Sequence, residues 1–200
     1  AYYVSSDLLE ATIHAREIDK IDTIGQVIKK LIARQSTQLQ RLARVLAEES
    51  ALPSALLREE PDRVAAITAI FDRIGDLSGT DLFEVIDDRG IVVYRSWEPA
   101  RRGDRDSTWG IYEALAGASN VVSTVVPQGI EIRAIEPLRA GNRIVGALSV
   151  GQRMDERFFK TLGHEVGATL GLLSRSGRTL ASSAALGQGL AFQAVIEAFE

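Results

Sequence analysis

The feature that most constrains this chain is an uninterrupted helical pattern in its first quarter. Residues 5–50 contain no proline and a single glycine. Apolar residues recur at steps of three or four from Ile21 to Leu46, with Gln35 as the one polar member of the series. A helix of this length would be a rod of roughly 65 Å at 1.5 Å per residue. The pattern therefore predicts a stalk, a spine that carries other elements, or a dimer seam.

The pattern changes twice after this helix. Pro61 suits the first turn of a second helix, whose apolar face begins at Val64. From residue 80 onwards, β-rich segments alternate with turns. The predicted elements are a hairpin of Leu82–Ile86 and Ile91–Arg95, a helix over Trp109–Ala116, a strand over Val121–Val126, two strands within residues 129–151, a helix after Asp155, and a hairpin over residues 169–181.

Composition limits the function. Of the residues, 46% are hydrophobic and 25% are charged, which is typical of a folded globular protein. The formal net charge of −4 argues against a nucleic-acid surface, because such surfaces are usually basic. The sequence has no cysteine, so it forms no disulfide framework and offers no thiolate chemistry. No run of eighteen apolar residues exists that would predict a transmembrane helix in this piece.

An internal repeat indicates two copies of one module. Residues 85–96 align without gaps on residues 172–183, and both read as an apolar pair, a polar turn with glycine, a strand and a serine. Three segments then resemble the double Cache family of tandem PAS-like sensor domains. They are LFEVIDDRGIVVYRS (82–96), ALAG (114–117) and GIEIRAIEPLRAGNRIVGALSVGQRMDERFF (129–159). The resemblance implies an α+β fold with a long N-terminal helix as spine and PAS-like antiparallel sheet modules.

The resemblance also implies an organisation. Residues 1–52 would form the long helix and a dimer seam, residues 53–154 the membrane-distal ligand-binding module, and residues 155–200 a linker helix and the start of a second, incomplete module. The chain would be the periplasmic part of an inner-membrane receptor, a homodimer anchored by segments outside this piece. It would be a sensory module without catalysis or cofactor, serving a chemoreceptor, a sensor histidine kinase or a cyclase.

Arg133 is the principal candidate for ligand binding. It lies in the middle of a predicted strand, where Ile130, Ile132 and Ala134 share one face and Arg133 shares the other with Glu131. A buried guanidinium needs an anionic partner. Glu131 could supply one internally, or a bound small carboxylate or amino acid could do so bidentately. Both interpretations remain open at this stage.

Six other residues complete the predicted site. Four aromatic residues would wall a small pocket, although ordinary core packing is the alternative for each of them. Ser149 is a possible hydroxyl donor on a strand. Arg101 lies in the charge-mixed loop 97–108, which would be either a lid whose arginine reaches an anion or a solvated connection. The four aromatic residues are Tyr94, Trp97, Trp109 and Tyr112.

Other classes of function find less support in the sequence. His164-Glu165 lacks the second histidine of the zinc-protease pattern, and no metal-ligand spacing is present. One alternative is a structural helix-and-sheet module that dimerises without a ligand. Another is a cytoplasmic PAS domain that holds haem or flavin, although nothing around His164 resembles a cofactor site.

Overall fold

The computed structural model describes the protein over residues 6–78, 80, 82–127, 129–173 and 179–183. The first element, α1, spans Ser6–Glu48, 43 residues, and confirms the predicted long helix. One side of its C-terminal half is buried, and this stripe consists of Ile28, Ile32, Leu39, Ala43 and Leu46. None of the described helices is long and apolar enough to cross a membrane.

Two helices connect α1 to the sheet. The short helix α2, Ala51–Leu56, was not predicted, because Pro53 indicates an interruption, yet a proline is tolerated in the first turn of a helix. The third helix, α3, spans Asp62–Ser78 and follows Pro61 as predicted. Phe71 of α3 packs against the sheet, with its ring centroid 4.8 Å from that of Phe83 and 5.0 Å from that of Tyr94. The Phe71 and Tyr94 rings are stacked and the Phe71 and Phe83 rings are tilted, and these contacts hold α3 on the sheet.

The sheet has five antiparallel strands in the order β2-β1-β5-β4-β3. Strand β4 contains Arg133 and pairs along its whole length with β5, so these two long strands form the centre of the module. The strand bounds are β1 Leu82–Asp87, β2 Val92–Arg95, β3 Asn120–Val126, β4 Gly129–Ala140 and β5 Arg143–Met154.

The two faces of the sheet are covered by different elements. Helix α1 packs against β4 and β5, whereas the loop 96–108 and helix α4, Trp109–Leu115, lie on the opposite face. Alternation along the strands produces two separate apolar cores. The α1 face contributes Val85, Ile132, Ala134, Leu148 and Val150, and the α4 face contributes Ile86, Val92, Ile135 and Ala147 together with Ile111 and Ala114 of the helix. The predicted α+β class is confirmed.

A second hairpin begins after the sheet. Helix α5, Glu156–Val166, starts at Asp155, whose side chain accepts a hydrogen bond from Phe158 N, and ends at Gly167, which is left-handed with φ 63°. Strands β6, Gly171–Leu173, and β7, Thr179–Ser182, form a separate two-stranded sheet. The predicted turn around residues 175–177, and residues 184–200 of the predicted second module, lie outside the described part of the chain.

The hydrogen bonds support the internal repeat. Ser96 donates its N–H to the carbonyl of Phe83 at 2.9 Å, and its hydroxyl oxygen accepts from Phe83 N at 2.9 Å. Ser183 forms the same two bonds with Leu170, both at 2.8 Å. Ser96 and Ser183 are equivalent in the gapless alignment, and Phe83 and Leu170 each lie two residues before the aligned segments. In both hairpins, a serine therefore forms the same pair of hydrogen bonds with a residue near the start of the first strand.

Candidate functional site

Arg133 lies at the middle of β4, on the face of the sheet that the loop 96–108 covers, with its side chain 14% exposed. Its cross-strand partner on the neighbouring strand β5 is Gly151. A Cβ atom at position 151 would lie 2.9 Å from Arg133 Cγ and 2.9 Å from the Ile132 carbonyl oxygen. Glycine at this position therefore makes room for the aliphatic stem of Arg133 to cross the strand.

The guanidinium of Arg133 is paired within the protein. Its Nη1 donates to Glu84 Oε2 at 3.0 Å, and its Nη2 and Nε donate to Glu131 Oε2 at 2.8 and 3.2 Å. Asp106 Oδ2 lies 3.9 Å from Nη1. The internal partner predicted at Glu131 is thus present, and Glu84 is a second partner that was not predicted.

A second arginine holds the loop against the sheet. Arg95 Nε donates to Glu84 Oε1 at 2.7 Å, and Arg95 Nη1 and Nη2 each donate to one oxygen of Asp104 at 3.0 Å. Nη1 also donates to the carbonyl of Arg101 at 3.2 Å. Two parallel N–H···O bonds to one carboxylate give a geometrically specific contact. The loop position therefore depends on Arg95.

A third arginine and an indole ring complete the arrangement. Arg153 Nη2 and Nε donate to Glu131 Oε1 at 2.5 and 3.0 Å. The Trp97 ring centroid lies 5.0 Å from Arg133 Cζ and 5.9 Å from Arg95 Cζ, within cation–π range. We call these ionisable side chains the charged cluster; they are Glu84, Asp104, Asp106, Glu131, Arg95, Arg133 and Arg153.

The pKa values of the acids in the charged cluster are shifted in opposite directions. Burial raises the pKa of Glu84 from 4.5 to about 7; the nearby Arg133 and Arg95 oppose this rise, and repulsion from Asp106 adds to it. The carboxyls of Glu84 and Asp106 also share a hydrogen bond, which favours the protonated form of Glu84. Although burial opposes it, hydrogen bonds from Arg153 and Arg133 lower the pKa of Glu131. Near neutral pH, Glu84 is the acid that exchanges a proton.

Three of the other predicted residues lie at the charged cluster or next to it. Trp97 packs over two guanidinium groups, as described above. Ser149 is buried on β5 directly across from Glu84 of β1, and therefore on the same face. Arg101 is mostly exposed on the loop, with its guanidinium 3.5 Å from Glu98 and 3.6 Å from Asp104. Arg101 therefore lies at the rim of the charged cluster.

The other three aromatic residues lie elsewhere, which corrects their expected positions. Tyr94 is paired with Val85 and stacks on Phe71, so it belongs to the core on the α1 face. Trp109 and Tyr112 lie one turn apart on α4 and are 65% and 46% exposed, because Ile111 and Ala114 are the residues that α4 turns inward. None of these three contributes a wall to the charged cluster.

Sequence reasoning missed most of the charged cluster. Glu84 follows Leu82 and Phe83 in β1, and Arg95 ends the otherwise uncharged strand β2, so each is a charged residue beside apolar ones, as Arg133 is. The predicted hairpin would not have paired them, because the register of β1 and β2 shifts between Val85 and Ile86. The contributions of Asp104 and Asp106 were not predictable, because they depend on how an irregular loop folds back. Among the described residues, no group of acidic or histidine side chains has the arrangement of a metal site.

The fold and the site together define a class of protein. A long helix behind a five-stranded antiparallel sheet, with a loop closed over polar side chains on the other face, is the arrangement of a PAS-like sensor module. The family model described as a double sensory domain of two-component sensor kinases matches residues 15–196. The chain belongs to this family, the double Cache sensors, and is an extracytoplasmic sensor domain of receptors. Domains of this kind bind ligands and are not catalytic.

Solved structures share the fold at low sequence identity. The sensor domain of the Vibrio cholerae histidine kinase DctB is 11% identical, with a TM-score of 0.65 over 87% of this chain and 68% of that one. The Escherichia coli DcuS sensor domain is 17% identical, with a TM-score of 0.55 over 68% and 96%. The ligand-binding domain of the Campylobacter jejuni chemoreceptor Tlp3 in complex with 4-methylisoleucine is 16% identical, with a TM-score of 0.56 over 90% and 72%. No curated protein matches the chain.

Proposed function

We propose that this chain senses an α-amino acid, which binds at the charged cluster of the membrane-distal module and signals to a chemoreceptor, histidine kinase or cyclase output domain. The observation that carries the proposal is the juxtaposition of three guanidinium groups and four carboxyl groups beside the Trp97 ring, beneath a single loop. Buried charges of both signs at this density are costly to maintain, so a binding role accounts for them better than stability does.

The charge balance favours a zwitterion over a simple anion. With Glu84 protonated, the three remaining carboxylates match the three guanidinium groups. A zwitterionic amino acid would add no net charge to this half-buried site, whereas a bare carboxylate would add an uncompensated negative charge. An amino acid would also contact both kinds of charged group in the cluster. Its ammonium group needs a carboxylate, and its carboxylate needs a guanidinium.

The geometry indicates how the ligand would be held. Arg133 and Arg153 both donate to Glu131, and a ligand carboxylate that displaced Glu131 would receive those same N–H groups. The ligand ammonium would then lie near Asp106, whose pKa is lowered and which therefore keeps its charge. Trp97 would contact the aliphatic side chain of the ligand. Each charge-assisted hydrogen bond gained is worth about 1.5–3 kcal/mol.

Related structures support an amino acid as the ligand class. The Tlp3 ligand-binding domain has been solved in complex with L-valine, L-norvaline and 4-methylisoleucine, and its sensory domain with isoleucine bound. Those ligands belong to Tlp3, a protein 14–16% identical to this one in these structures. They show that an amino acid fits a domain of this architecture, and we extend the ligand class to this chain on that ground.

Two of the strands that carry the charged cluster also contact the long helix α1. Arg133 and Arg153 lie on β4 and β5, the strands against which α1 packs. Gln35, the one polar residue in the apolar stripe of α1, donates a hydrogen bond to Gln152, which is next to Arg153 on β5. Ligand binding that shifts β5 would therefore move α1, provided that the two positions differ in ligand affinity. Homodimerisation along α1 and the three-part division at residues 52 and 154 belong to the same proposal.

A thermal-shift and calorimetric titration with the twenty proteinogenic amino acids, succinate and malate tests the function. One or more amino acids should raise the melting temperature, by about 5–10 °C at one hundred times the dissociation constant. Succinate and malate should have a smaller effect. Arg133→Lys keeps the charge but lacks the planar fork, and it should weaken binding about tenfold or more.

The matched control is Arg143→Lys, because Arg143 is an exposed arginine whose one ion pair among the described residues is with Asp88 in the hairpin turn region. The Arg143→Lys variant should bind the amino acid as tightly as the wild type does. If no amino acid changes the melting temperature, the structural dimerisation module becomes the better account. If a hit binds Arg133→Lys and the wild type equally, the charged cluster is not its site.

A further inference from the structure

A cleft of about 460 Å³ is lined by none of the residues of the charged cluster. It opens between the last turns of α1, the turn that follows α4, and the C-terminal half of β4. Its polar lining consists of Arg44, Glu48, Ser119, Glu136 and Arg139. Because Arg44 and Glu48 belong to α1, anything bound there would contact the spine helix directly.

Glu136 is the unusual member of this lining. It is only 5% exposed, and alternation along β4 places it with Ala134 and Leu138 on the α1 face. The Ser119 hydroxyl donates a hydrogen bond to Glu136 Oε2. Within the described part of the chain, no cationic nitrogen lies within 4.0 Å of its carboxylate.

Two other buried glutamates differ from Glu136, because each of them is paired with two arginines. Glu84 is bound by Arg95 and Arg133, and Glu131 by Arg133 and Arg153. Buried carboxylates are normally paired in this way, since an unpaired buried charge is strongly unfavourable. Glu136 shares their burial, but the partner that the described residues give it is a hydroxyl, and its carboxylate borders a cleft large enough for a small molecule. An exogenous cation would satisfy it.

The rim of the cleft carries the opposite charge. Arg139 is exposed and donates to the carbonyl of Gly117 at 3.3 Å, which uses one of its five N–H groups. Arg44 is exposed and forms no ion pair with any residue in the described ranges. Guanidinium groups at the entrance suit an anionic group on the part of the ligand that lies further out.

We propose that this cleft is a second ligand site, which takes a small molecule with a primary ammonium group at one end and a carboxylate at the other. The ammonium group binds Glu136 and the carboxylate binds Arg44 and Arg139. The site is separate from the charged cluster, because it shares no lining residue with it.

Calorimetric titration with 5-aminopentanoate, putrescine and glutarate tests the proposal. These probes carry both end groups, the amine alone and the carboxylate alone. 5-Aminopentanoate should bind the wild type most tightly. Glu136→Gln should weaken that binding about tenfold or more, because a charge-assisted hydrogen bond is lost. Arg139→Gln, at an exposed position where folding is not at risk, should weaken binding of 5-aminopentanoate but not of putrescine.

Two controls separate this site from the charged cluster and from general electrostatics. Glu49→Gln changes an exposed acid that follows Glu48 in the sequence but does not line the cleft, and it should leave binding unchanged. Arg133→Lys should also leave 5-aminopentanoate binding unchanged, so a failure of the amino-acid proposal would not affect this one.

The stability of the ligand-free variant is the second measurement. Glu136→Gln should raise the melting temperature, since it replaces a buried carboxyl group, to which the described residues offer no cationic partner, by a neutral amide. A lower melting temperature would show that Glu136 is already paired in solution and would overturn the proposal. Absence of binding by all three probes to the wild type would overturn it as well.

Discussion

Arg133→Met is expected to lower the free energy of unfolding by about 3 kcal/mol at pH 8, the lower end of the range for breaking a buried ion pair. The lower end applies because Glu84 keeps Arg95 and Glu131 keeps Arg153 after the change. Methionine retains most of the aliphatic volume that packs against Gly151. The melting temperature should fall by roughly 6–12 °C for a chain of this length. Chemical denaturation followed by circular dichroism measures the loss.

The cost should depend on pH and on Glu84. When Glu84 is protonated, loss of Arg133 leaves no buried charge on it, so the penalty should be smaller at pH 5.5 than at pH 8. The double variant Glu84→Gln/Arg133→Met should for the same reason recover part of the stability at pH 8. Equal penalties at both pH values, with no recovery in the double variant, would show that Arg133 is not energetically coupled to Glu84.

The second large effect is a fall in stability as the pH rises towards neutrality. The pKa of Glu84 is about 7 in the folded protein and 4.5 in the unfolded reference. Between these values the folded state holds a proton that the unfolded state has lost, so the free energy of unfolding decreases with rising pH. The total decrease from Glu84 is about 3 kcal/mol, because a tenfold difference in proton affinity between the two states corresponds to about 1.4 kcal/mol.

The other acids of the charged cluster set the acidic limit of stability. The pKa values of Asp104, Asp106 and Glu131 are lowered in the folded protein. Their contributions are present above the unfolded values of 3.8 and 4.5, and are lost as the pH falls through their folded values. Stability should therefore be greatest near pH 5, between the two regimes. Urea unfolding at pH 4, 5, 6, 7 and 8 gives the profile.

Two identical substitutions at different glutamates provide the control. Glu84→Gln keeps a neutral, hydrogen-bonding side chain, so it should flatten the profile between pH 5 and pH 8 and match or exceed wild-type stability at pH 8. Glu131→Gln should instead destabilise the protein at pH 8, because Glu131 is held as a carboxylate by two arginines. If both variants shift stability in the same direction at pH 8, the assignment of the exchanging proton to Glu84 is wrong.

The fold was largely predictable because its signals are local. The helical period of α1, the turn residues of the β1–β2 hairpin and the Asp155 cap each depend on a few neighbouring residues. Helix α2 was missed for a local reason too, since Pro53 was interpreted as a break although it occupies a first turn. The internal repeat has a structural counterpart that was not predicted from the sequence. Ser96 and Ser183 form equivalent hydrogen bonds in their two hairpins.

The site was less predictable because it depends on tertiary position. Arg133 and Trp97 were identified and do meet, and Glu131 was foreseen as an internal partner. Tyr94, Trp109 and Tyr112 were misplaced, because an aromatic side chain packs equally well into a core, a pocket wall or an exposed helix face. Asp104 and Asp106 could not have been placed, since no periodicity constrains a loop.

The most direct test of the proposed function is a crystal structure of the protein grown with the amino acid that raises its melting temperature most. The proposal predicts the ligand carboxylate at about 3 Å from the guanidinium of Arg133, with Glu131 turned away from it and the ligand ammonium next to Asp106. A ligand bound elsewhere, with Arg133 still paired to both glutamates, would contradict it.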